Sequence, residues 1–400
     1  MSNPVLSSRV QAIKESPTLA ITAKAAQYKA EGRPIIGLAA GEPDFDTPQH
    51  IKDAAKAAID AGYTKYTPVS GIPTLKQAIV NKFKTENGFD YAINEVIVGV
   101  GGKQTIFNLC LAVLNAGDEV VIPAPYWVSY VDIAMVAEAV PIIVECGIEQ
   151  GFKLLPAQLA AAITSKTKIV MLNSPSNPTG AVYSLDELNA LGEVLLKHPH
   201  VLVATDDMYE HVNLTGEKFY NILNAAPALK DRCIVLNGVS KAYSMTGWRI
   251  GYAAGPAYII KAMEILQSQS TSNATSISQH AAVAALSGSQ DCIKPMVTAF
   301  KERHKYVVDR FNAMPGVGCL MAGGAFYAFP DARKAIASLH KAGKISAATD
   351  MAFAEYLLEK FDVAVVPGSA FGAEGYFRIS FATSMDNLRV ALDRIEKALS

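Results

Sequence analysis

Cysteine is scarce in this sequence. Its five thiols among 400 residues, Cys110, Cys146, Cys233, Cys292 and Cys319, lie too far apart for a CxxC metal motif or a dense disulfide framework, which leaves them as core thiols. An excess of charge of either sign is missing too. With 36 Lys plus Arg against 37 Asp plus Glu, the net charge of -1 leaves no footprint for nucleic acid or an anionic membrane, so a small-molecule partner is expected. Uninterrupted apolar runs of membrane-spanning length are also lacking. The long apolar stretch 133–144 is broken by Glu138 and Pro141, and segment 1–14 is polar without the apolar core of a signal peptide, so a cytoplasmic protein is expected. Low-complexity linkers and repeats are absent. Among seven histidines, His198 and His200 lie close together around Pro199 near a helix end, a pattern that predicts a solvated corner, and no metal is expected.

What is present is a well-filled chain, 50% hydrophobic and 18% charged, long enough for two domains. Between about 48 and 288, helical patterns alternate with short β-branched runs at 96–100, 119–123, 141–144, 169–172, 201–205, 233–236 and 250–254. This alternation predicts an α/β fold, a mostly parallel central sheet covered by helices on both faces. The last part carries helical patterns at 294–311, 350–360 and 385–399 with a turn at Gly323 and Gly324, and reads as a smaller α+β domain. A leading helix over 10–32, stopped by Gly32, and an apolar run at 35–39 have no sheet of their own and are expected to join that part. The expected organisation is a large domain at 48–293 and a discontinuous small one from 1–47 plus 294–400.

Candidate chemistry gathers at predicted strand ends. Lys241 follows the run 233–236, where α/β enzymes place reactive groups, and its amine can form a Schiff base with a carbonyl cofactor if its pKa is lowered. Arg249, a planar and permanently charged fork, suits a phosphate on the same cofactor. Pyridoxal phosphate is an aldehyde of this kind. After the run 96–100, a glycine-rich turn opens a helix at 105–114, so Gly102, Lys103 and Gln104 are candidates for gripping phosphate with free backbone N–H groups. A GxGxxG dinucleotide motif fails there because Thr105 would crowd the helix start. Asp206 ends the run 201–205 and would supply the anion that keeps a pyridine nitrogen protonated. Asp207 beside it is expected to cap a helix or turn. Asn177, in Asn-Pro-Thr-Gly, is either a turn initiator or a two-bond donor, while Trp127 and Tyr209 are either core aromatics or parts of a site.

The order of these motifs resembles one family. Ser240-Lys241 with Gly247, Arg249, Gly251 and Tyr252 is similar to the cofactor-lysine signature of the class I aminotransferases, in particular the bacterial aspartate aminotransferase subgroup. The likeness extends through 40–45, Tyr66, 101–104, 125–127, 177–180, 206–209 and 377–380. It implies the pyridoxal-phosphate fold of type I, a homodimer, and amino transfer between aspartate or glutamate and a 2-oxo acid, with Lys241 as the proton carrier. It implies that Trp127 stacks on the cofactor ring, that Asn177 and Tyr209 bond its phenolic oxygen, and that Ser240 belongs to the cofactor site. It also implies that Gly41, Asn177 and Arg378 face the substrate carboxylate. By the same resemblance Tyr66 reaches the neighbouring subunit's phosphate, Lys103 serves a distal carboxylate or the phosphate, and Lys14 marks members that accept prephenate. Carbon-sulfur lyases, a cyclopropane-forming synthase and transferases for neutral or aromatic amino acids share the scaffold, so the fold leaves those reactions open.

Overall fold

A computed structural model of the chain describes residues 5–13 and 17–400. Near the start, strand β1 (Ile36–Gly37) precedes the main sheet. That sheet holds β2 (Val96–Val100), β3 (Glu119–Ala124), β4 (Val140–Glu145), β5 (Thr167–Asn173), β6 (Leu202–Asp206), β7 (Cys233–Gly238) and β8 (Ile250–Ala254). All seven expected runs are strands, in the order β2-β8-β7-β6-β5-β3-β4. β3 to β7 run parallel, whereas β8 is antiparallel to both β7 and β2.

Apart from the half-exposed edge strand β4, the sheet is buried on both faces, which is why those strands read as continuous apolar runs. Alternate residues feed two separate cores: Val98, Val121, Val170, Val203 and Val235 pack on one side, and Ile97, Ile122, Ile169, Ala204 and Ile234 on the other. Truncating one of these, such as the fully buried Ile97, costs about 2–5 kcal/mol.

The strand directions position the site. Asn173 pairs with Asp206, and Asp206 with Leu236, so the carboxyl ends of β5, β6 and β7 share one edge. Because β8 is reversed, its first residue Ile250 pairs with the last residue of β2, Val100. That reversal brings Arg249 and the turn at Gly101 to the same edge as Lys241.

Elsewhere β9 (Tyr327–Ala328), β11 (Val366–Pro367) and β12 (Phe377–Ser380) form an antiparallel sheet, with β12 central. β1 pairs in parallel with β10 (Val363–Ala364), so the leading segment joins the carboxyl-terminal part as expected. The expected single helix over 10–32 is instead two helices, Ser8–Ala12 and Pro17–Ala30. Ile13 is extended after the first, and proline opens the second, where its missing N–H costs nothing. Four cysteines are buried and Cys292 is half-buried. No helix of the described residues is long and apolar enough to cross a membrane.

Candidate active site

A cavity of about 380 Å³ opens at this edge, lined by Gly41, Gly102, Lys103, Trp127, Asn177, Asp206, Tyr209, Ser240, Lys241, Arg249 and Arg378. Eleven predicted residues therefore meet in one place. A larger void of about 530 Å³ around Phe152, Tyr183 and Tyr220 contains none of them.

Lys241 leaves the turn after β7, half-buried, and its Nζ donates to the Gly41 carbonyl at 2.5 Å. Burial, then the cations Arg378 and Arg249, bring its amine down to about 8, against the pull of Glu42 and Asp206. An amine in this state is partly neutral near physiological pH and can attack a carbonyl.

Asp206 is 7% exposed at the end of β6. Burial pushes its carboxyl up, and the Tyr130 hydroxyl, the Met208 N–H and the Lys241 charge oppose that. Tyr130 Oη donates to Oδ2 at 2.6 Å and Met208 N to Oδ1 at 3.2 Å. Asp207 is not the expected cap. It is 1% exposed and accepts from Thr205 Oγ1 and Asn221 Nδ2, both at 2.7 Å. Here the strand carries its side chain away from the cavity, as alternation requires for the neighbour of Asp206.

On the opposite wall, Arg378 is 3% exposed in β12. Its Nη1 donates to Asn177 Oδ1 at 2.8 Å and Nη2 to the Ala39 carbonyl at 2.7 Å, while Nε is buried without a partner. Its guanidinium lies over the Tyr327 ring at 4.4 Å. Tyr327 Oη meets Tyr209 Oη at 2.8 Å and lies 2.9 Å from where a Cβ on Gly41 would stand, so glycine is required there.

The phosphate candidates surround the start of the helix Gly102–Val113, whose N-cap Gly101 gives no side-chain bond. A Cβ on Gly101 would stand 2.4 Å from Arg249 Nη2, and one on Gly251 would stand 2.2 Å from the backbone N of Gly102. Such a cradle admits backbone and guanidinium close to an anion. Lys103 Nζ lies 5.1 Å from the Trp127 ring centroid. The Gln104 side chain turns back to accept from Val100 N at 2.5 Å and donates to Thr271, so it does not line the cavity. Tyr66 is 92% exposed and outside the cavity, and Lys14 lies outside the described residues.

These features fit pyridoxal phosphate. The uncapped helix start, Lys103, Ser240 and Arg249 suit its phosphate, Asp206 its ring nitrogen, and Trp127 its flat face, while the unpartnered Arg378 Nε points to a further acceptor such as a carboxylate. Sequence reasoning missed Tyr130, Asn173 and Tyr327. Asn173 ends an apolar run at the same edge as Asp206, a signal that was available; the tyrosines carry none, because only tertiary packing brings them in.

The comparisons agree with this geometry. Residues 33–395 match the family described as Aminotransferase class I and II. An aspartate/prephenate aminotransferase of Nitrosomonas europaea is 61% identical, over 99% of this chain and 100% of that protein. An aspartate aminotransferase of Rhizobium meliloti superimposes with a TM-score of 0.93 at 50% identity, covering 98% of both chains. The Thermus thermophilus aspartate aminotransferase with maleate gives 0.92 at 41% identity over 100% of both.

Proposed function

This chain belongs to the class I and II aminotransferases, and from that membership we propose that it moves an amino group between aspartate or glutamate and a 2-oxo acid, with prephenate as a further acceptor. The observation that carries this reading is the pairing, across one cavity, of Lys241 at the sheet edge with the buried, half-satisfied Arg378. Pyridoxal phosphate, the cofactor of this family, supplies when bound an aldehyde that exchanges an amino group and a ring that accepts electrons.

The chain's own residues do the rest. Lys241 would hold the cofactor through its ε-amine and, once released, would take a proton from the substrate Cα as base and deliver it as acid to the cofactor's former aldehyde carbon. Asp206 would hold a proton on the ring nitrogen, and the Tyr209 and Asn177 side chains would donate to the phenolic oxygen. Gly102, Lys103, Ser240 and Arg249 bind phosphate. Arg378 and Asn177 bind the substrate carboxylate, with the Gly41 backbone beside Lys241 leaving room for it.

A dicarboxylic substrate is favoured by the cation Lys103 at the cavity, since a second carboxylate in a closed site needs a partner. The Thermus thermophilus relative was solved with maleate, a dicarboxylate. A homodimer in the cytoplasm, with Tyr66 completing the partner's phosphate site, belongs to the same proposal, as does the division into 48–293 and 1–47 plus 294–400. A panel of amino donors assayed against 2-oxoglutarate tests the substrate reading. Aspartate should lead and neutral amino acids trail, and Lys103→Ala should raise KM for aspartate much more than for an aromatic amino acid. Equal losses for both would assign Lys103 to the phosphate alone.

A further inference from the structure

Asp206 faces the cavity from a strand end, but it does not stand by itself. Tyr130, from the helix Ser129–Val136, is 3% exposed, and its hydroxyl reaches Asp206 Oδ2 at 2.6 Å. Its ring is held edge-to-face by Trp127, with centroids 5.3 Å apart. The second carboxylate oxygen takes the Met208 N–H at 3.2 Å, and the Asp206 carbonyl takes the Asn173 amide at 2.8 Å. Tyr130 is therefore the one side chain among the described residues that hydrogen-bonds this carboxylate. Lys241, Tyr209 and Asp207 are the other titratable groups near enough to act on Asp206 or Tyr130.

We propose that Tyr130 is a positioning residue for Asp206: its hydroxyl orients the carboxylate and keeps their shared proton on the cofactor's ring nitrogen. This rests on the reading that Asp206 faces that nitrogen. A carboxylate and a pyridine nitrogen holding one proton between them exist either as an ion pair or as a neutral pair. Burial favours the neutral pair, because it disfavours charge on both partners. A donor to the carboxylate acts the other way, since it bonds the charged oxygen better than the neutral acid. Removing the Tyr130 hydroxyl should shift the proton toward Asp206 and weaken the ring as an electron sink. Phenylalanine at this position keeps the ring that packs on Trp127 and removes only the donor.

The test uses the holoenzyme loaded with cofactor labelled with nitrogen-15 in the ring, whose NMR shift reports protonation without reference to turnover. The wild type should show a protonated nitrogen. Tyr130→Phe should move the resonance toward the unprotonated value and lower the rate by about tenfold, the size of one hydrogen bond to a charged group. Loading Tyr130→Phe with an N-methylated cofactor, whose ring is permanently cationic, should bring its rate close to that of the wild type loaded in the same way. If Asp206→Ala shifts the resonance and Tyr130→Phe does not, the role of Tyr130 is refuted while that of Asp206 stands. If the wild-type nitrogen is unprotonated, or Asp206→Ala leaves it unchanged, both fall. Equal rate losses with both cofactors would mean packing damage and would also overturn the proposal.

Discussion

At the scale of single residues the chemistry depends on Lys241, because one amine serves both to hold the cofactor and to move the proton. Lys241→Ala should lower turnover by at least about 10³-fold, or ~4 kcal/mol in the barrier, measured in steady state with aspartate and 2-oxoglutarate. The amine also sets a pH dependence. Burial, with Arg378 and Arg249, depresses Lys241 to about 8 in the cofactor-free chain, and only its neutral form attacks an aldehyde. The rate of cofactor uptake, followed by absorbance after mixing, should therefore rise with pH through about 8 and then level. A rate that falls over that range would contradict the assignment.

At the scale of elements, the site is made by strand ends and one helix start held at close quarters. Gly251 in β8 touches the turn at Gly101 and Gly102, where an added Cβ would meet backbone at 2.2 Å. Gly251→Ala should push the helix start outward, lowering cofactor affinity and costing about 1–3 kcal/mol of stability, read by cofactor titration and thermal melts. Behind the same edge, Glu210 is buried in an ion pair with Lys82 and also accepts from Asn87 and Asn237. Burial alone would raise its carboxyl, but Lys82 and His211 hold it down at about 2. A depressed carboxyl stabilises the fold above its unfolded value of about 4.3 and loses that contribution as pH falls toward 2. Glu210→Gln should thus cost about 3–5 kcal/mol near neutral pH, with the gap to the wild type closing below about pH 4 in denaturant titrations.

Six strands of the main sheet were legible because burial on both faces leaves an apolar run for each, and the half-exposed edge strand β4 from its β-branched residues. The reversal of β8 was not, since such a run does not encode direction. Most of the site was legible too, as Lys241, Asp206 and Asn177 stand just past such runs and the motifs around them resemble one family. Gln104 shows the limit. A helix-start motif locates backbone N–H groups but does not say which side chain folds back onto the preceding strand. Tyr130 and Tyr327 were invisible for a related reason, because their hydroxyls gain meaning only from partners 76 and 118 residues away.

At the scale of the whole molecule, Tyr66 stands out as an aromatic that is 92% exposed in the single chain. Tyr66→Phe should retain cofactor weakly, and if two copies share sites, mixing it with Lys241→Ala subunits should recover activity, because some mixed dimers carry one intact site. Subunits that exchange fully without recovery would refute the sharing. Amino transfer at one site per chain has its own signature in the half-reaction. Holoenzyme given aspartate and no acceptor should release one oxaloacetate per chain and stop, then release one glutamate per chain when 2-oxoglutarate is added. No oxaloacetate from aspartate, together with continuous release of ammonia and pyruvate from a cysteine thioether with no acceptor present, would contradict it.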